Sequence, residues 1–104
     1  MSFDSTLTIK SFDPLFDLNK FEAAIIQQIE EDDFSMDVWD DLQIALIAGE
    51  AWFALPAISV LPYIEIVHQL APEIDFTAEC IGEEEDDRWV RQFQNGAVLL
   101  AVGP

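Results

Sequence analysis

The acidic residues of this chain come in blocks. Glu30-Glu31-Asp32-Asp33 leads into Asp37, Asp40 and Asp41, and Glu83-Glu84-Glu85-Asp86-Asp87 forms a second run. Against twenty-one acids stand four bases, Lys10, Lys20, Arg88 and Arg91, for a formal net charge of −17. Like charge at this density opposes a compact state through self-repulsion. A chain so charged stays disordered when it also lacks apolar residues. This one is 51% hydrophobic, with eight Phe, three Trp and one Tyr. Charge and core therefore coexist, which predicts a folded domain with an anionic surface. The 104 residues are the length of a single domain, residues 1–104.

Several classes are disfavoured. Cys80 is the only cysteine, so no intramolecular disulfide and no cysteine-rich metal site is expected. Met1 to Thr6 has neither the basic region nor the apolar run of a signal peptide. The longest uncharged stretch, Ala51 to Ile64, is too short to span a bilayer and holds Pro56 and Pro62. A cytoplasmic protein is the expectation. An anionic surface is repelled by anionic membranes and by nucleic acid, so direct contact with either is not expected.

Phe3, Ser5, Leu7, Ile9 and Ser11 alternate with Asp4, Thr6, Thr8 and Lys10, a strand pattern broken at Asp13-Pro14. Leu18, Phe21, Ala24, Ile25 and Ile29 recur at helical spacing, giving an amphipathic helix of about 15 residues. Its C-terminal end carries Glu30 to Asp33, the wrong sign for the helix dipole. Ser35 is a suitable N-cap for a second helix, Met36 to Ala48, with Asp37 favourably placed in its first turn and Gly49 at C′. Val38, Trp39, Leu42, Ala45 and Leu46 form its buried face, and Asp37, Asp40 and Asp41 share the outer one about 5–6 Å apart.

Ala51 to Leu55 reads as a strand or a buried connection. Ser59 is the expected cap of a third helix, Val60 to Ala71, with Pro62 in its first turn and Pro72 after its end. The last third reads as a β-meander. Ile74, Phe76, Ala78 and Cys80 alternate with polar neighbours, and the second acidic run forms a turn. Arg88 to Gln94 returns with Trp89, Arg91 and Phe93 on one side. Asn95-Gly96 signals a two-residue hairpin. Ala97 to Val102 is continuously apolar, as expected of a strand covered on both faces. The fold class is therefore α+β, three helices packed on one face of an antiparallel sheet of three to four strands.

No catalytic constellation stands out, and no enzyme activity is expected. His68, the only histidine, lies among Ile64, Val67, Leu70 and Ala71 of the third helix. Cys80 sits on the apolar side of a strand, where a thiol is packing rather than a nucleophile. No nucleophile elbow or glycine-rich phosphate loop is present. Neither acidic run has calcium-loop spacing, although Glu83 to Asp87 could hold divalent cations weakly. No cofactor and no specific metal site is expected. Trp39 and Trp52 are expected in the core.

The acids can be a solvated face, or the mark of a halophilic source. Neither accounts for clustering at an unfavourable helix end. A third reading is mimicry. Duplex DNA presents one negative charge per ~1.7 Å of axis, and carboxylates 5–6 Å apart on a helix and its flanking turn imitate a short row of phosphates. The expected partner-binding residues are Glu30, Glu31, Asp32, Asp33, Asp37, Asp40 and Asp41, with Glu83, Glu84, Glu85, Asp86 and Asp87 as a second patch or an extension.

In size, acidity, low base count and α+β core, the chain resembles small phage- and plasmid-encoded inhibitors of bacterial defence, the anti-CRISPR and anti-restriction proteins of DNA-mimic type. A second resemblance covers the C-terminal half. The Pro-bearing helix before Ala71-Pro72-Glu73-Ile74-Asp75-Phe76, followed by a hairpin with Trp89 and Asn95-Gly96, is similar to ferredoxin-like domains of mobile-element proteins. The first resemblance implies a protein of the bacterial host cytoplasm that binds the DNA-recognition surface of a CRISPR effector or nuclease. An immunity protein for a nuclease toxin, or an acidic adaptor for a basic protein, uses the same physics. A monomer and a homodimer are both open.

Overall fold

The computed structural model describes residues 3–13 and 15–104. Pro14, the expected strand breaker, and Met1 and Ser2 of the expected non-signal N-terminus lie outside them. The element order is β1 (Ser5–Lys10), α1 (Asn19–Asp32), α2 (Asp37–Ala48), β2 (Glu50–Phe53), α3 (Ala57–Leu70), β3 (Phe76–Gly82), β4 (Arg88–Gln94) and β5 (Ala97–Val102). The α+β class holds, with a sheet of five antiparallel strands in the order β2-β1-β3-β4-β5 rather than three to four. The extra strand is β2, whose short Ala51/Phe53 alternation pairs with β1. This order of elements differs from the β-α-β-β-α-β order of ferredoxin-like domains.

Period-two patterning sends Leu7, Ile9, Ala51, Phe53, Phe76, Ala78, Cys80, Trp89 and Phe93 to one face of the sheet, where all are buried. The helices close that face. α2 lies over β1 and β2, α3 over β1, β3 and β4, and α1 packs on α2 and α3. Phe21, Ile25 and Ile29 of α1, Leu42 and Ala45 of α2, and Val60, Ile64 and Val67 of α3 complete the core. At ~25 cal/mol per Å² of buried apolar surface, this core is the dominant force that holds seventeen excess negative charges in one compact body.

The other face of the sheet is bare of helices. Three cross-strand rows run over it: Trp52–Thr6–Ile81–Arg88, Glu50–Thr8–Glu79–Val90–Val102, and Lys10–Thr77–Gln92–Leu100. Lys10 and Arg88 balance Glu50 and Glu79 on this face, so it is neutral in a protein of net charge −17. Trp52 stands on it 56% exposed, which corrects the expectation of a core residue, whereas Trp39 is buried as expected. In a four-residue strand the alternation that buries Ala51 and Phe53 turns Trp52 outward.

Two further corrections concern boundaries and burial. α3 begins at Ala57, not Val60, and Ser59 does not cap it. Pro62 therefore lies in the second turn, and its missing N–H leaves the Ile58 carbonyl without its helical donor. Both residues are exposed, so water can fill that place. β5 forms after the expected hairpin, with Asn95 and Gly96 both at positive φ. It is not covered, however. All six of its residues are exposed.

Candidate functional site

α1 ends in a Schellman motif. The Phe34 N–H donates to the Ile29 carbonyl and the Asp33 N–H to the Glu30 carbonyl, with Asp33 left-handed at φ 56°. Glycine is the ordinary residue at this point because an L side chain is strained there. An aspartate stands there instead, at the negative end of the helix dipole. The chain then turns directly into α2. α2 begins at Asp37 with Met36, not Ser35, at the N-cap position; Ser35 Oγ accepts from the Asp37 N–H at 3.1 Å in the turn before it, and Gly49 ends α2 at φ 90°. Asp37 and Asp40 lie in the first turn of α2, where an acid is favourable.

The second acidic run closes the β3–β4 hairpin. The Gly82 N–H donates to the Asp87 carbonyl at 2.8 Å and the Asp87 N–H to the Glu84 carbonyl at 3.1 Å. The Asp87 carboxylate does not face solvent with its neighbours. Its two oxygens accept from the Ala57 N–H at 2.7 Å and the Ile58 N–H at 3.0 Å, so it caps α3 from 30 residues away. Gly82 makes this possible, because a Cβ at that position would collide with the Asp87 carboxyl. The Trp89 indole N–H donates to the Ala57 carbonyl at 2.6 Å and fixes the same corner from the core.

The sheet brings the two runs to one pole. Ser5 is flanked by Phe53 on one side and Gly82 on the other. Asp33, Asp37 and Asp41 line a cleft of about 270 Å³ with Phe53 and Leu55, while Asp4 and Glu83 share another beside Gly82. Asp4, Glu30 to Asp33, Asp37, Asp40, Asp41 and Glu83 to Asp87 thus gather at the same end, thirteen of the twenty-one acids. Among the described residues the one ion pair is Lys20 Nζ to Glu73 Oε1 at 3.2 Å, at the opposite pole. Arg88, at the start of β4, lies at the acidic end but forms no ion pair there among the described residues.

The carboxylates at this pole divide by task. Asp32 accepts from the Tyr63 hydroxyl at 2.8 Å and from the Gln28 amide at 3.1 Å, so it ties α1 to α3. Burial, then that hydrogen bond and the Asp32 charge, push the Tyr63 phenol well above its ordinary range. Asp32 and Asp87 are structural acids. Glu30, Glu31, Asp33, Asp37, Asp40 and Glu83 to Asp86 are exposed. Asp41 is half-buried, and its carboxyl is raised above its usual value by burial first and then by Asp37 and Asp40. Asp37 and Asp41 also line the same cleft.

The other candidate groups pack. Cys80 is fully buried, and burial is the main cause that pushes its thiol up to about 11. His68 stacks on Phe93 at 4.2 Å between ring centroids. Among the described residues no three His, Cys, Asp or Glu side chains have the arrangement of a metal site, and no helix is long and apolar enough to cross a membrane.

Sequence reasoning counted Asp87 among the partner-binding acids and missed both its cap on α3 and the part Gly82 plays in it. A lone glycine inside an alternating strand pattern is the signal that marks a close approach. No family model matches the chain, and neither a curated protein nor a solved structure is significantly similar to it.

Proposed function

We propose that this protein is a non-enzymatic inhibitor that acts as a nucleic-acid mimic and occupies the basic DNA-binding surface of a CRISPR effector or other defence nuclease in a bacterial host. The observation that carries this reading is the convergence of the α1 end, the α2 start and the β3–β4 turn on one pole, with no base paired to them among the described residues. A DNA-binding groove presents Lys and Arg to a row of phosphates and releases counterions whichever polyanion fills it. Exposed carboxylates about 5–6 Å apart along the first turns of α2, continued by the hairpin turn, offer such a row on a rigid support. The acids at the C-terminal end of α1 oppose the helix dipole, which a surface made only for solubility would avoid. Attraction between the acidic pole and a basic groove makes encounter fast and salt-sensitive.

The test is displacement. A purified CRISPR effector or restriction enzyme is loaded with labelled duplex DNA and titrated with this protein at ~50 mM salt. Release of the DNA is expected, and direct binding of this protein to the enzyme should weaken steeply between ~50 and ~200 mM salt. Asp37→Lys, Asp40→Lys and Asp41→Lys combined should abolish release while the domain stays folded. Undiminished competition by that variant would remove the acidic pole as the binding surface. Capture from bacterial lysate at low salt, eluted with a salt gradient, identifies the basic partner.

A further inference from the structure

β5 is an edge strand with little protection beyond one bulge and the Arg91 side chain, which donates to the Val102 carbonyl at its end. Natural edges are blunted by charges, proline, bulges or a covering element. Ala97 to Val102 has no charge and no proline, and Val98, Leu99, Leu100 and Val102 are 46 to 62% exposed. The one irregularity is a bulge, since Phe93 pairs with Val98 and Gln92 with Leu100, which leaves Leu99 unpaired. The opposite edge, β2, is four residues long, carries Glu50 and lies under α2.

Charge selects the occupant. All twenty-one acids and two of the four bases fall in residues 1–87, a net −19, while Arg88 and Arg91 leave residues 88–104 at +2. The basic partner of the acidic pole has no reason to dock on the acid-free strip that bears these arginines. Two copies of this chain repel each other at −17 apiece, and least where they meet along this acid-free strip. Antiparallel pairing also separates the poles. The Val102 end of β5 lies beside the start of β4 at the acidic end, and the Ala97 end lies at the other. Joining two β5 strands antiparallel therefore sends the two acidic poles to opposite ends of the assembly.

We propose that β5 pairs antiparallel with β5 of a second copy, forming a two-fold dimer with a continuous ten-stranded sheet. A two-fold contact of this kind closes on itself, so it does not propagate into filaments. Strand addition draws its affinity from main-chain hydrogen bonds, with alternate side chains adding apolar contact. One six-residue edge is small beside the ~800 Å² per partner of a standard interface, so the dimer is a weak, concentration-dependent one. This inference goes beyond the inhibitor reading and does not depend on it.

Sedimentation velocity over ~2 to ~200 µM tests it, at low salt and at ~0.5 M NaCl. The mass should rise from 11.7 kDa towards twice that value with concentration. Salt should strengthen the dimer at least severalfold, because screening relieves repulsion between the copies; salt weakens the binding of a basic partner. Leu100→Lys with Val102→Lys, both at exposed positions, should leave a folded monomer by circular dichroism and leave DNA displacement intact. Slowed amide hydrogen exchange in β5 at the higher concentration is the matching signal in the unaltered chain. A monomer at every concentration overturns the proposal and leaves the edge to a strand from another protein. A dimer that survives both lysines, or growth beyond two copies, overturns it as well.

Discussion

Asp33→Gly should make this protein more stable. The residue closes α1 in the left-handed region at φ 56°, a conformation that costs an L residue roughly 1 kcal/mol and glycine almost nothing. Its carboxylate also sits at the negative end of the helix dipole, worth a further ~0.3–1 kcal/mol in the same direction. Against these gains, glycine loosens the unfolded chain by about 0.5–1 kcal/mol. The balance is a stabilisation of about 1 kcal/mol, which raises the melting temperature of a domain this size by about 4–6 °C. Asp33→Asn separates the two contributions, because it removes the charge and keeps a side chain that tolerates the conformation. It should gain only the dipole part, and that gain should vanish at ~1 M salt as screening takes over. Thermal melts followed by circular dichroism at ~0.15 M salt measure both. A melting temperature for Asp33→Gly at or below the unaltered protein would refute this account of the helix end. If Asp33→Gly is stabilising and also weakens DNA displacement, the aspartate serves binding at the expense of the fold.

Asp87→Ala should cost about 1–2 kcal/mol, since it leaves the first N–H groups of α3 uncapped; Gly82→Ala should mimic it, and urea melts compare the two. The melting temperature of the unaltered chain should rise from ~0.01 to ~0.15 M salt as self-repulsion is screened, and a flat response would mean that the charges are already neutralised. Tyr63 has a phenol raised above its unfolded value, so its contribution is fully present below pH 10 and is lost as pH climbs above it. Tyr63→Phe should flatten stability over that alkaline range in urea melts. Asp41 is also raised in the folded state, so its protonation favours folding as pH falls towards its ordinary value of 3.8. Asp41→Asn should stabilise the protein at pH 7 and remove that part of the acid-side gain.

Local signals carried most of the architecture. The alternation at Leu7 and Ile9 and at Phe76, Ala78 and Cys80, the helical spacing of Phe21, Ile25 and Ile29, and the turn at Asn95-Gly96 each act within a few residues. The structure agrees with them. What escaped is non-local. Ser59 has the right chemistry for a helix cap, but a carboxylate 30 residues downstream reaches the helix first. The apolar run of β5 looks like that of a doubly covered strand, because hydrophobicity alone does not say whether a neighbour exists. The convergence of the two acidic runs depends on sheet order, which brings β3 beside β1 and the hairpin turn beside α3. Each run was visible in the sequence, but their common pole was not.

The bond from Asp87 to the start of α3 has a consequence for recognition. Five acids in an untethered loop would spread apart, and a partner would have to regather them at an entropic loss for each side chain and backbone segment it immobilised. Here the last carboxylate of the run is fastened to a helix, and the base of the loop is latched by Gly82. The ordering is completed during folding, when the core supplies the free energy. A partner meets Glu83 to Asp86 on a loop anchored at its base, and less of its binding energy goes into arranging them.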